Sequence, residues 1–133
     1  MTIINPASNY GTVTIVAPTA APGGLQTRTK GGQWEDVYVE PGTFVVNIGD
    51  MMAQWTNDKW VSTVHRVVNP QLDSGLAGRR LSLVFFHQPN PDAVIDCIPT
   101  CITEQTPKKY DSVIAGEYIS AKINRHFKSY LAA

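Results

Sequence analysis

The feature that most constrains this chain is the close spacing of short, β-branched stretches between turn residues. Nine prolines and ten glycines punctuate the sequence, so the first hundred residues have no room for long helices. Gly11-Thr-Val-Thr-Ile-Val16 alternates polar and apolar residues, the period of a half-buried strand. Gly24-Leu-Gln-Thr-Arg28 is a second strand candidate, followed by a turn at Lys30-Gly-Gly32. Trp34-Glu-Asp-Val-Tyr-Val39 alternates again and ends at the turn former Pro41-Gly42. Thr43-Phe-Val-Val-Asn-Ile48 is mostly apolar, which predicts a strand covered on both faces, closed by Gly49-Asp50. Residues 51–56 predict one helical turn before a turn at Asn57-Asp58. Val64-His-Arg-Val-Val68 and Leu81-Ser-Leu-Val-Phe-Phe86 are the last clear strands, and residues 71–78 between them read as a solvated loop. Many short strands at this spacing predict a sandwich or a barrel.

The tail changes character. Pro107-Lys-Lys-Tyr110 reads as a turn. From Ala115 onward, Tyr118, Ile119, Ile123 and Phe127 recur at helical spacing, predicting one amphipathic helix that packs its apolar stripe on the sheet. A length of 133 residues predicts a single domain, large enough to bury a core without disulfide or metal staples. Lys+Arg 11 balance Asp+Glu 11, so no electrostatic footprint of a nucleic-acid binder is present. No polybasic cluster points to a membrane surface, no apolar run is long enough to span one, and the N-terminus lacks a signal-peptide layout. The two cysteines, Cys97 and Cys101, lack the ligand count of a zinc site and read as reduced thiols of a cytoplasmic protein.

Few residues carry chemistry. Of the three histidines, His65 sits inside a β-branched strand, where its side chain either hydrogen-bonds in a core or serves as a ligand. His87 marks a strand end, and His126 lies on the terminal helix facing solvent. Arg80 precedes Ser82 by two residues, so both project from one face of a strand. An arginine fork beside a hydroxyl suits a carboxylate, through two parallel charge-assisted hydrogen bonds. A surface ion pair is the competing reading, and spacing alone leaves both open.

The order of motifs resembles the C-terminal region of iron- and 2-oxoglutarate-dependent dioxygenases, more closely the isopenicillin N synthase-like branch. The resemblance runs through Asn9-Tyr-Gly-Thr-Val-Thr-Ile, Gly23-Gly-Leu-Gln, Trp34-Glu-Asp-Val and Pro41-Gly-Thr-Phe-Val-Val-Asn-Ile-Gly-Asp50. It continues in Trp55-Thr-Asn57, Ser62-Thr-Val-His-Arg-Val-Val-Asn-Pro70, Arg80-Leu-Ser82, Phe85-Phe86, Pro89-Asn-Pro-Asp-Ala-Val94 and Ala115-Gly-Glu-Tyr118. It implies an all-β double-stranded β-helix, the jelly-roll or cupin-like fold, here with a C-terminal amphipathic helix. It also implies an oxidoreductase acting on a small molecule with Fe(II) and 2-oxoglutarate. In that family a His-x-Asp and a distant His hold the iron, while an Arg-x-Ser pair grips the far carboxylate of 2-oxoglutarate. The resemblance therefore assigns His65 as the distal metal ligand, and Arg80 and Ser82 as the residues that bind the dicarboxylate.

Two departures accompany it. The same alignment places Ala7 and Asn9 where the family has its first His and its Asp, so two of three iron-ligand positions are substituted. Met1 stands six residues before the first of them, whereas family members carry a large region ahead of this point. A jelly-roll truncated at its N-terminus exposes strand edges and an apolar sheet face. A homodimer covering that surface is the expected consequence. The alternative to an oxygenase is a non-catalytic jelly-roll that binds a small carboxylate or a partner protein.

Overall fold

Alternation of apolar side chains produces antiparallel ladders in a computed structural model that describes residues 8–18, 24–68 and 81–131. The first six strands are β1 (Val13–Pro18), β2 (Leu25–Arg28), β3 (Trp34–Asp36), β4 (Val45–Ile48), β5 (His65–Val67) and β6 (Ser82–His87). Helix α1 (Asp50–Trp55) follows β4. Two short strands, β7 (Val94–Ile95) and β8 (Val113–Ile114), precede the long helix α2 (Ala115–Leu131). One sheet has the order β4-β1-β6 and a second has the order β3-β2-β5, while β7 and β8 pair as a ribbon. The chain changes sheet between β1 and β2, between β3 and β4, and at each step from β4 to β6. Such exchange is the habit of Greek-key jelly-roll folds.

The turns sit where their residues demand. Gly42 takes φ +79°, open to glycine at no steric cost, and ends the approach to β4. Asn57 and Asp58 both adopt positive φ, 53° and 63°, which their short polar side chains tolerate. Three local expectations need correction. The third strand stops at Asp36 rather than Val39, although the Val37 amide still donates to the Leu25 carbonyl at 2.9 Å. β7 and β8 lie beyond what had read as the last clear strands. Residues 107–110 run irregularly, with a bend at Tyr110. The 71–78 loop lies outside the described residues.

The buried core lies away from the three-stranded sheets. Met51 of α1, Ile95 of β7 and Ala115 of α2 are each 0% exposed, with Trp55, Ala93, Val113, Tyr118 and Ile119 packed around them. Helix α2 therefore buries the start of its stripe against α1 and the ribbon, not on a large sheet. Farther along, Ile123 and Phe127 remain exposed. Strand β4 is not covered on both faces either: Val46 is 60% exposed, and so is Phe85 of β6. Both pair in register with Ile15 of β1, which puts Val46, Ile15 and Phe85 on one sheet face.

A polar hub completes the packed corner. Asn57, 4% exposed, donates through Nδ2 to the carbonyls of Thr106 (3.2 Å) and Pro107 (3.1 Å). Its Oδ1 accepts the Lys109 amide at 3.0 Å. Asp58 accepts hydrogen bonds from the Tyr110 hydroxyl (2.8 Å) and Lys109 Nζ (3.0 Å). Burial opposes ionisation of Asp58, but the Tyr110 hydroxyl and the Lys109 ammonium outweigh it and lower its pKa. The same bond, to a carboxylate that favours the neutral phenol, pushes Tyr110 up to about 12.

Candidate cofactor-binding site

The site is built on the β3-β2-β5 sheet. Register places Arg66, Gln26 and Asp36 in one cross-strand row and His65, Thr27 and Glu35 in the next. Side chains in the first row touch: Arg66 Nε donates to Gln26 Oε1 at 2.8 Å, and Gln26 Nε2 donates to Asp36 Oδ1 at 2.9 Å. The Arg66 guanidinium also lies 4.2 Å from the Trp34 ring centroid. Pleating sends the neighbouring row to the opposite face. That face carries His65 and Thr27 together with the half-buried Leu25, Val37 and Val67.

His65 is held in a definite orientation. Its Nδ1 lies 3.1 Å from the Thr63 carbonyl, an oxygen that only accepts, so Nδ1 carries the proton. In the neutral imidazole this leaves the lone pair on Nε2, the arrangement typical of a metal-ligating histidine.

The start of β1 is fastened to α1. The Asn9 carbonyl accepts the Asp50 amide (2.7 Å) and the Gly11 carbonyl accepts the Met51 amide (3.1 Å). Ser8 Oγ donates to Asp50 Oδ2 at 2.8 Å, and Lys122 of α2 bonds the same oxygen at 3.1 Å. A Cβ added at Gly49 would collide with the Gly11 carbonyl, so this close approach requires glycine. Asn9 is thereby a backbone anchor beside α1, with its side-chain amide as the only donor group it offers. Ala7 lies outside the described residues.

Ser82 opens β6 opposite Pro18 of β1, half-buried. Arg80 lies outside the described residues. The structure thus places His65 on one sheet and Ser82 on the other. His87, at the far end of β6, is exposed, yet its Nδ1 lies 2.6 Å from Thr12 Oγ1. Nothing in the sequence signalled that companion, because 75 residues separate the two. Cys97 and Cys101 are both free thiols, Cys97 buried against the Gln54 carbonyl at 3.4 Å.

A metal held by two histidines and a carboxylate needs three such donors on one side. Among the described residues, no group of three or more His, Cys, Asp or Glu side chains is placed to hold a metal ion. With His65 as the distal ligand, the remaining family positions supply a methyl group at Ala7 and a neutral amide at Asn9. This donor set does not fit a ferrous triad.

Two antiparallel sheets exchanging strands, with an oriented imidazole on one, define a jelly-roll-type scaffold. Comparison with known proteins gives the family. The family model of the 2OG-Fe(II) oxygenase superfamily matches residues 3–89. Homoarginine-6-hydroxylase 2-ODD-233 of Oryza sativa subsp. japonica is 35% identical over 122 residues, covering 90% of this chain and 35% of that protein. The 2-oxoglutarate-Fe(II) type oxidoreductase hxnY of Emericella nidulans is 33% identical, covering 84% of this chain and 31% of its own length. The crystal structure of a full-length Neurospora crassa protein in complex with alpha-KG superposes with a TM-score of 0.80 at 34% identity, covering 89% of this chain and 39% of that one. The chain belongs to the 2OG-Fe(II) oxygenase superfamily, and it spans about a third of the length of the curated relatives it matches. Among the described residues, no helix is long and apolar enough to cross a membrane.

Proposed function

We propose that this chain is the co-substrate-binding portion of a 2-oxoglutarate/Fe(II)-dependent oxygenase, a single domain whose own iron site is impaired. The observation that carries the reading is His65, oriented by the Thr63 carbonyl on the more apolar face of its sheet, within the stretch that matches the superfamily. Arg80 and Ser82 are the residues proposed to bind the distal carboxylate of 2-oxoglutarate, the guanidinium in bidentate fashion and the hydroxyl as a further donor. His65 is the remaining metal donor. Ala7 and Asn9 favour the second reading, a non-catalytic jelly-roll that binds a small dicarboxylate or a partner protein.

Anaerobic titration with ferrous iron and 2-oxoglutarate separates the two. The expected result is weak binding of 2-oxoglutarate, lost in Arg80→Leu, with no visible charge-transfer band. A band at one iron per chain would restore the full oxygenase reading, and binding unchanged in Arg80→Leu would place the dicarboxylate elsewhere.

A second copy of the chain is the proposed cover for the face bearing Phe44, Val46, Leu83 and Phe85, each at least 60% exposed. Exposed apolar area from four such side chains is on the order of the nonpolar share of a standard interface, roughly 450 Å² per partner. Two free thiols fit a reducing, cytoplasmic setting.

A further inference from the structure

Strand β6 lies open on both faces and along one edge. Leu83 and Phe85 stand on one face of the β4-β1-β6 sheet, at 66% and 60% exposure, and Val84 and Phe86 stand on the other, at 46% and 56%. Among the described residues, β1 pairs along one side of β6 and no strand pairs along its other side. The remaining edges of the two three-stranded sheets are shorter, and two of them carry charge. β4 has four residues, β3 has three with Glu35 and Asp36, and β5 has three with Arg66 at its centre. β6 runs for six residues without a lysine, a carboxylate or a proline, the residues that keep a strand edge from pairing.

We infer that two copies of the chain join edge to edge through β6, antiparallel, into one six-stranded sheet. This rests on the second copy proposed above and states how it docks. A strand added beside β6 has to be apolar on both faces and uncharged, and β6 itself meets that description. Symmetry then restricts the register. A two-fold axis normal to the sheet keeps each face on its own side. Residues directly opposite in an antiparallel pair share a face, so the axis falls between a residue and its own copy. An axis at Phe85 sets Phe85 against the partner's Phe85, Val84 against the partner's Phe86, and Leu83 against the partner's His87. Aromatic pairs, and aromatic with β-branched pairs, are favoured cross-strand contacts. An axis at Val84 would instead leave Phe86 opposite a serine hydroxyl. The four apolar side chains offer roughly 400 Å² of exposed area per copy, close to the apolar share of a standard interface. Val46 of β4, with Phe44 just before it, stands two strands from this seam.

Sedimentation of the whole chain over a concentration series tests the seam, together with amide exchange along β6 in the unmodified chain. A dimer is expected, with exchange of alternate β6 amides slowing as concentration rises. Phe85→Lys and Phe85→Glu, at a largely exposed position, should each weaken association by about tenfold or more, because like charges then face each other across the axis. An equimolar mixture of the two variants should restore it. Phe44→Ser should leave it unchanged. A monomer at every concentration removes the second copy altogether. A dimer without β6 protection, a dimer indifferent to charge at position 85, mixed variants that stay apart, or loss of association in Phe44→Ser would overturn the seam alone, leaving a second copy docked by another surface.

Discussion

The corner formed by α1, β7, β8 and the first turns of α2 is built differently from the β4-β1-β6 sheet. In the corner, Met51, Ile95 and Ala115 exclude solvent completely, and a buried asparagine ties residues 101–109 to the turn after α1. In the sheet, the hydrogen-bonded ladder is regular, yet Phe44, Val46, Leu83 and Phe85 stand mostly in solvent. Regular pairing and a closed core are therefore separable. Backbone bonds set the register of the sheet, whereas burial of apolar area, which stabilises by roughly 25 cal/mol per Å², is concentrated in the corner. Of the proposed binding residues, His65 and Ser82 lie on the sheets, where a partner surface or a ligand has apolar area left to cover.

The widest separation between the two regions comes from paired truncations. Met51→Ala removes a fully buried side chain, and a loss of about 2–5 kcal/mol is expected. Phe85→Ser on the exposed face should cost no more than about 0.5 kcal/mol in the monomer, while reducing any self-association seen by sedimentation. Urea denaturation of both variants checks the contrast, and equal losses would break it. Asn57→Ala comes next. It gives up side-chain hydrogen bonds, each of about 1 kcal/mol, and puts alanine at positive φ, for a total of about 3 kcal/mol. Asn57→Gly should recover only the backbone share, which sharpens the assignment to the hub. The smallest effect is a pH dependence. Tyr110 is raised in the folded state from 10.0 to about 12. Its contribution is therefore complete below pH 10 and fades as pH rises from there toward 12. Tyr110→Phe should flatten that alkaline slope in a denaturation series and delete the latest step of a tyrosinate absorbance titration.

Much of this division was legible in the residues. Gly11-Thr-Val-Thr-Ile-Val16 and Leu81-Ser-Leu-Val-Phe-Phe86 announced β1 and β6 because period-two alternation and β-branched side chains act locally. The motif order carried the family, and with it His65. That β6 takes a sheet edge was not legible, since Leu81-Ser-Leu-Val-Phe-Phe86 states an element but not which strands stand beside it. The companionship of His87 with Thr12, and the hub at Asn57, likewise depend on residues far apart in the chain.

What the sequence determined by itself were the first six strands, the turns at Gly42 and Asn57-Asp58, and helix α2, each written in a few adjacent residues. It determined also that Ala7 and Asn9 carry no imidazole and no carboxylate. Tertiary structure decided where burial falls: α2 chose the α1 and ribbon corner over the sheet, and β4 kept an open face. Local patterning states which side of an element is apolar, but only the assembled chain determines whether another surface arrives to cover it.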